Sequence, residues 1–156
     1  MFKKISLILF CFSLILCSPS FAKGKATPAS SLEIRQMQTR TYEIKNKKEL
    51  MEAIVNVLQD RDYLINESSY SLGVISGYKE CKEKAAFGSR YVRYETSVQI
   101  NEVNNKSYKV RTNFIKKNLD PMGNPLPQTD VQNPEEFYRG FFTQLDKSLF
   151  IESQGI

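Results

Sequence analysis

The chain has 156 residues, 41% of them hydrophobic and 25% charged, which is typical of one globular domain preceded by a short leader. Its formal net charge of +5 comes from the N-terminus, because setting aside Lys3, Lys4, Lys23 and Lys25 leaves 18 basic against 17 acidic residues. The nearly neutral remainder argues against a nucleic-acid partner, and the absence of histidine removes the commonest general base and zinc ligand.

Residues 1–22 have the pattern of a secretory signal peptide. Two lysines precede an apolar run from Ile5 to Cys17, which is too short to span a bilayer. Ser20 and Ala22 place small residues at the −3 and −1 positions of a cleavage site. We therefore predict cleavage after Ala22 and export to the periplasm.

The next segment, residues 23–31, is rich in small and polar residues and is predicted to be a flexible tether. Such a tether also suits a second interpretation of the leader, in which Cys17 is the acylated residue of a lipoprotein. Leu16 is larger than the residue that lipoprotein signal peptidase prefers before the cysteine, so cleavage after Ala22 is favoured. A lipid on Cys17 would instead anchor the domain to the outer membrane.

Residues 32–156 are predicted to form a single domain, organised around an amphipathic helix from Asn46 to Asp60. Asn46 can accept a hydrogen bond from a free backbone N–H, and Glu49 follows three residues later, as in a capping box. The preceding segment, Leu32–Lys45, contains several strand-forming residues and is predicted to be extended. The apolar stripe of the helix consists of Leu50, Ala53, Ile54, Val57 and Leu58.

Two strands are predicted after this helix, one beginning at Tyr63–Ile65 and the other at Leu72–Tyr78. Gly73 and Gly77 share one face of the second strand, which indicates a bulge or the close approach of another backbone or helix. The charged residues from Lys79 to Ser89 are predicted to form a connection rather than part of a strand.

The segments Tyr91–Val103 and Tyr108–Ile115 alternate between apolar and polar residues and are predicted to form an antiparallel hairpin with one wet face. The apolar residues of both strands have even numbers, so paired residues must sum to an even number if the apolar faces are to coincide. This rule pairs Val98 with Thr112 and predicts a three-residue loop, Asn104–Lys106.

The C-terminal part is predicted to contain a long loop, residues 118–133, followed by a helix. The helix begins at Asn133-Pro134, with Asn as the cap and Pro at the first position, and Glu135 and Glu136 lie near its positive end. Capping and the helix dipole account for both glutamates better than a catalytic pair does. The apolar face of the helix consists of Phe137, Tyr138, Phe141, Phe142, Leu145, Leu149 and Phe150.

The sequence contains no phosphate-binding loop, dinucleotide glycine fingerprint, Cys/His metal cluster or nucleophile elbow, so we predict no enzyme and no catalytic, cofactor or metal site. Asp60 and Asp62 lack the glycine and distal glutamate of a calcium loop. Cys81 has lysine neighbours that could stabilise a thiolate, but a cysteine without a chemical role is the simpler interpretation. The basic and aromatic residues of Arg90–Tyr94 are better explained as a solvated strand than as a nucleic-acid platform.

Several stretches resemble a group of small envelope proteins of Gram-negative bacteria, many of them lipoproteins, for which no active site is known. The resemblance covers most of the chain after Leu32, and the order of elements is also similar to the helix-grip domains of accessory lipoproteins in outer-membrane assembly. The stretches that carry it are Arg35–Arg40, Val57–Asp60, Leu72–Ile75, Phe141-Phe142 and Leu145–Phe150.

The expected fold is α+β with two layers: an antiparallel sheet of four to five strands, in the element order β-α-β-β-β-β-α, with both helices on its apolar face. We expect a non-catalytic adaptor of the cell envelope, which binds a protein partner through a sheet edge, the 118–133 loop or the groove beside the last helix. The alternative is a periplasmic carrier of a small apolar or lipid-like ligand. Its site would be lined by Tyr94, Phe114, Phe137 and Phe141.

Overall fold

The computed structural model describes residues 30–85, 88–129, 131 and 134–154. The predicted cleavage at Ala22, the alternative lipidation at Cys17 and the cap at Asn133 lie outside the described residues. None of the helices in the described ranges is long and apolar enough to cross a membrane. The elements are α1 (Ser31–Met37), β1 (Thr39–Glu43), α2 (Lys47–Asp60), β2 (Leu64–Ser69), β3 (Val74–Lys84), β4 (Ser89–Asn104), β5 (Ser107–Leu119), β6 (Pro125–Thr129) and α3 (Pro134–Ser153).

The strands form one antiparallel sheet in the order β1-β5-β4-β3-β2, and β6 also pairs with β5. β1 pairs with the first part of β5, from Ser107 to Arg111, whereas β6 pairs with its last part, from Lys116 to Leu119. The two short strands therefore follow one another along the same edge of β5. The predicted α+β class is confirmed, and the structure adds α1 and β6 to the predicted elements.

The core lies between the sheet and the two long helices. The predicted stripe of α2 is buried, and each large aliphatic side chain removed from water contributes about 1.5–3 kcal/mol to folding. From α3, four side chains enter the same core: Tyr138, Phe141, Phe142 and Leu145. From the sheet, the inward-facing members include Ile75, Val92, Tyr94, Val98, Ile100, Tyr108, Val110 and Phe114.

The prediction that Leu32–Lys45 is extended throughout is wrong for its first half, which forms α1. Ser30 Oγ accepts a hydrogen bond from the Glu33 backbone N–H at 3.3 Å, and Glu33 Oε2 accepts one from the Ser30 N–H at 2.6 Å. This reciprocal capping box begins the helix and outweighs the strand preference of the residues that follow. The strand begins only at Thr39.

The predicted register of the hairpin is confirmed, because Val98 pairs with Thr112 in the structure. The predicted three-residue loop is wrong: the turn has two residues, Asn105 and Lys106, between Asn104 and Ser107. The register shifts between Glu102 and Asn104, so one extra residue in β4 restores the even sum that a two-residue turn breaks.

The predicted connection between Lys79 and Ser89 is also wrong for most of its length. β3 continues to Lys84 and pairs with β4 as far as Ser89. The predicted loop at 118–133 contains a further strand, β6, despite its prolines. Both errors concern strands that carry polar residues or prolines at positions where periodicity predicts apolar ones.

The two glycines of the predicted strand Leu72–Tyr78 permit close backbone contacts, as expected. A Cβ atom on Gly73 would lie 2.4 Å from the carbonyl oxygen of Ile100, and the φ angle of Gly73 is +66°. A Cβ atom on Gly77 would lie 2.7 Å from the carbonyl oxygen of Leu64. Neither position accommodates a side chain without movement of the backbone.

Candidate functional site

The inward face of the sheet becomes polar at the end where β3 finishes, β4 begins and β5 reaches its last third. Lys116 follows Thr112 and Phe114 on the inward face of β5 and is directly paired with Tyr94 on β4. It is only 5% exposed, because strand alternation carries it under the helices. A buried lysine requires a carboxylate or other polar partner.

Glu83, near the end of β3, supplies that carboxylate. Lys116 Nζ donates a hydrogen bond of 2.6 Å to Glu83 Oε2, and the hydroxyl of Tyr94 donates one of 2.5 Å to Glu83 Oε1. The Lys116 ammonium also lies 5.5 Å from the centroid of the Tyr94 ring, and Arg90 Nε lies 4.0 Å from the glutamate. Glu83 therefore connects three basic or phenolic side chains from two other strands.

Burial and hydrogen bonding shift the pKa values of two groups in this cluster, Tyr94 and Glu83. Burial raises the pKa of Tyr94, and its hydrogen bond to the Glu83 carboxylate raises it further. Burial raises the pKa of Glu83, but hydrogen bonds from Lys116 and Tyr94 outweigh burial, so the net shift is downward. Near neutral pH the Glu83 carboxylate therefore stays ionised and the Tyr94 hydroxyl stays protonated.

A cavity of about 490 Å³ opens beside this cluster, between the end of α2, the first turn of α3 and the sheet. One side is aromatic, since the rings of Tyr94 and Phe137 stack with centroids 5.4 Å apart at an interplanar angle of 24°. The other walls carry charged side chains of both signs. The lining residues are Arg61, Glu83, Lys84, Tyr94, Lys116, Glu136 and Phe137.

Arg61, at the C-terminal cap of α2, holds its guanidinium group against α3. Its Nη1 donates a hydrogen bond of 3.1 Å to Gln144 Oε1, and Lys79 Nζ donates one of 3.1 Å to its backbone carbonyl. A Cβ atom on Gly140 would lie 3.1 Å from the same Nη1, so the glycine leaves the space that the guanidinium occupies. The pKa of Arg61 is lowered because burial partly removes its charge from water.

Only two of the four residues predicted to line an apolar site reach this cavity, namely Tyr94 and Phe137. Phe141 and Phe114 are buried in an aromatic cluster instead. The ring centroid of Phe114 lies between 5.5 and 6.1 Å from those of its aromatic neighbours, Tyr63, Phe137, Tyr138 and Phe141.

Sequence reasoning missed the three charged residues that define the cavity best, Arg61, Glu83 and Lys116. One indication was available: Lys116 interrupts the even-numbered apolar positions of β5, where alternation places a side chain inward. Nothing in the local sequence indicates that Glu83, 33 residues away, is its partner.

The other sequence candidates lie apart from one another. Cys81 is a half-buried free cysteine of β3 that packs against the core, opposite Val92. Glu135 forms an exposed ion pair with Arg139, whereas Glu136 lines the cavity. Asp60 and Asp62 are exposed. In the described ranges, no three potential metal-ligating side chains of Cys, Asp or Glu come together.

A second feature lies at the far edge of the sheet, formed by β2. No strand among the described residues pairs with the outer side of β2, and its only charged residue is Glu67. Three exposed apolar side chains flank this edge: Leu64 at 63%, Tyr70 at 57% and Leu72 at 68%. The opposite edge differs, because β1 carries charges and β6 carries two prolines.

No family model matches the chain, and neither does any curated protein sequence. Among solved structures, the chain is similar to the adenylate sensor of AMP-activated protein kinase in complex with ZMP, at a TM-score of 0.43 and 12% identity over 71% of this chain and 94% of the other. It is also similar to a TBP-like protein from Parabacteroides distasonis, at a TM-score of 0.33 and 14% identity over 73% of this chain and 86% of the other. A DUF4468 family protein from Bacteroides ovatus matches at a TM-score of 0.35 and 10% identity over 72% of this chain and 82% of the other. At these TM-scores the likenesses carry no argument about function.

Proposed function

We propose that this chain is a non-catalytic accessory protein of the bacterial cell envelope, which binds an extended segment of a protein partner along the free edge of β2. The partner strand would add to the sheet beside β2 through main-chain hydrogen bonds, and its apolar side chains would contact Leu64 and Leu72. We base the proposed export on the signal-peptide pattern of residues 1–22. The leader would be removed by cleavage after Ala22 or, as the alternative, processed with lipidation at Cys17.

The observation that carries the proposal is the difference between the two edges of the sheet. Natural proteins protect edge strands with charged residues, prolines or bulges, because unpaired backbone groups attract other strands. The edge formed by β1 and β6 has both charges and prolines, including Pro125 and Pro127. β2 has no proline and only one charged residue, Glu67, and exposed apolar side chains border it. Its other protective feature is the register shift next to Asn66.

Site-specific photocrosslinking tests this proposal. A crosslinking amino acid is placed at position 64 or 72 of the full-length chain, and intact cells are irradiated before the adducts are identified by mass spectrometry. Phe150 is the matched control, because it is 66% exposed and apolar but lies near the end of α3. Asp146, one turn before it, contacts β1 at the opposite edge of the sheet. We expect one and the same envelope protein to be crosslinked from positions 64 and 72, and not from position 150.

The charge variant Leu64→Lys gives a second readout. It places a cation on an exposed position of the edge, so the core is unaffected and the crosslink from position 72 should become weaker. Identical adducts from all three positions, or no adduct above the level of position 150, would overturn the proposal. The intact mass of the recovered protein also distinguishes cleavage after Ala22 from lipidation at Cys17.

A further inference from the structure

We infer that the cavity between the end of α2 and the first turn of α3 binds a small organic anion that has a flat apolar body. This inference goes beyond the proposed function and does not depend on it. The cavity opens at the sheet end of β3, β4 and β5, and none of its lining residues belongs to β2. A protein partner on the β2 edge and a small molecule in the cavity would therefore occupy different surfaces.

The charge balance of the walls favours an anion. Lys116 and Glu83 neutralise one another through their 2.6 Å hydrogen bond. Arg61 and Lys84 are two further cations, and within the described ranges neither has a carboxylate oxygen within 4.0 Å. Among the described lining residues, Glu136 is the only other carboxylate, so these residues carry a net positive charge outside the Lys116–Glu83 pair.

Arg61 is held in a position suited to a carboxylate. Its Nη1 donates a hydrogen bond to Gln144, and its backbone carbonyl accepts one from Lys79. Its guanidinium lies in the space beside Gly140. Among the described residues, the hydrogen bond to Gln144 uses one N–H of Nη1, so the second N–H of Nη1 and the two of Nη2 remain to bind a carboxylate, which they match in geometry as well as in charge. Partial burial strengthens this attraction, because it is less screened than at an open surface.

The aromatic wall of the cavity is the reason why we infer a ligand with a flat apolar body. Tyr94 and Phe137 already stack on one another, and Phe137 is only half-buried, so part of its ring is available to an incoming ring. A cavity of about 490 Å³ falls within the usual range for small-molecule sites, roughly 300–1,000 Å³. The two aromatic residues belong to the set predicted for an apolar ligand, but the charged walls change the ligand class.

The test uses two probes of the same shape and opposite charge, 3-phenylpropionate and phenethylamine. Binding to the mature protein is measured by ligand-observed NMR titration. We expect saturable binding of the carboxylate and none of the amine. In Arg61→Gln the affinity for 3-phenylpropionate should fall about tenfold or more, since a hydrogen bond to a charged group contributes roughly 1.5–3 kcal/mol.

Arg111→Gln is the matched control, because Arg111 is exposed on β5 and is not among the cavity residues. Lys84→Gln removes an exposed cation from the cavity wall, so it keeps the test valid if Arg61→Gln fails to fold; we expect it to weaken binding as well.

The inference is wrong if the folded protein does not bind the carboxylate at millimolar concentration. It is also wrong if the amine binds equally well, or if Arg61→Gln and Lys84→Gln both keep the affinity of the unchanged protein. Failure here leaves the crosslinking from positions 64 and 72 unaffected.

Discussion

Lys116 donates a 2.6 Å hydrogen bond to Glu83, and this contact joins β5 to β3 across the intervening β4. Tyr94, on β4, donates to the other oxygen of the same carboxylate. The three strands are thus linked by side chains on their inward face, in addition to their backbone ladders. A polar cluster takes the place of the apolar core at this end of the sheet and forms one wall of the cavity.

The first prediction concerns the strength of this link. Glu83→Gln removes the Glu83 carboxylate from the buried Lys116 ammonium, and removing one member of a fully buried ion pair costs about 3–5 kcal/mol. The side chain of Glu83 is 26% exposed, so we expect a loss of about 2 kcal/mol in the free energy of unfolding, measured by urea denaturation.

The control is Glu80→Gln, whose partner Arg93 forms an ion pair on the opposite face of the sheet. The Glu80 side chain is 43% exposed, so its loss should cost less than about 1 kcal/mol. The double variant Glu83→Gln/Lys116→Met should recover much of the stability, because it removes the buried charge as well. Equal losses for Glu83→Gln and Glu80→Gln would contradict the assigned role of the cluster.

A pH dependence follows from the lowered pKa of Glu83. Because the folded protein holds this carboxyl below its ordinary value of 4.5, the stabilisation by Glu83 is present above that pH. It is lost as the pH falls through the folded pKa. We therefore expect the difference in unfolding free energy between the unchanged protein and Glu83→Gln to be constant near neutral pH and to shrink below about pH 4.5. A difference that grows on acidification would contradict the lowered pKa.

Two buried tyrosines should respond in opposite ways to loss of their hydroxyl groups. Tyr63 and Tyr138 are each 2% exposed. The hydroxyl of Tyr63 has no hydrogen-bond partner among the described residues, and burial raises its pKa to about 12. The hydroxyl of Tyr138 accepts from Gln38 Nε2 at 3.0 Å and lies 3.4 Å from Asn113 Oδ1.

We expect Tyr63→Phe to leave the unfolding free energy unchanged or to raise it by about 1 kcal/mol, because it removes an unpaired polar group. Tyr138→Phe should lower it by about 1 kcal/mol, because it removes a hydrogen bond of the Gln38–Asn113 network. Parallel thermal or urea unfolding of the two variants checks the sign of the difference. The expectation fails if Tyr63→Phe is the more destabilising of the two.

Gly140 offers a way to separate stability from ligand binding. Gly140→Ala adds a Cβ atom 3.1 Å from Arg61 Nη1, so the guanidinium must shift, while alanine favours the helix by up to about 1 kcal/mol. We expect unchanged or higher thermal stability together with weaker binding of 3-phenylpropionate. Thr143→Ala, at an exposed position of α3, is the control and should leave binding unaltered. Full binding by Gly140→Ala would show that the position of Arg61 is unimportant.

The elements that could be predicted from sequence are those that bury one regular face. α2 and the hairpin of β4 and β5 have apolar residues at helical or alternating positions, and the parity of these positions was sufficient to pair Val98 with Thr112. The elements that were missed do not follow this rule. α1 depends on the reciprocal capping box formed by Ser30 and Glu33. The second half of β3 carries the charged residues Lys79 and Glu83 on its inward face.

The sequence by itself determined the fold class, the main helix, the strand register and the leader-like pattern of residues 1–22, because each depends on periodicity or composition within a short stretch. Only the tertiary structure decided the position of the cavity, the pairing of Lys116 with Glu83 and the exposure of the β2 edge. Each of these depends on residues from separate elements. Glu83, which hydrogen-bonds the buried Lys116, lies 33 residues away from it, and local patterns carry no information about such a partner.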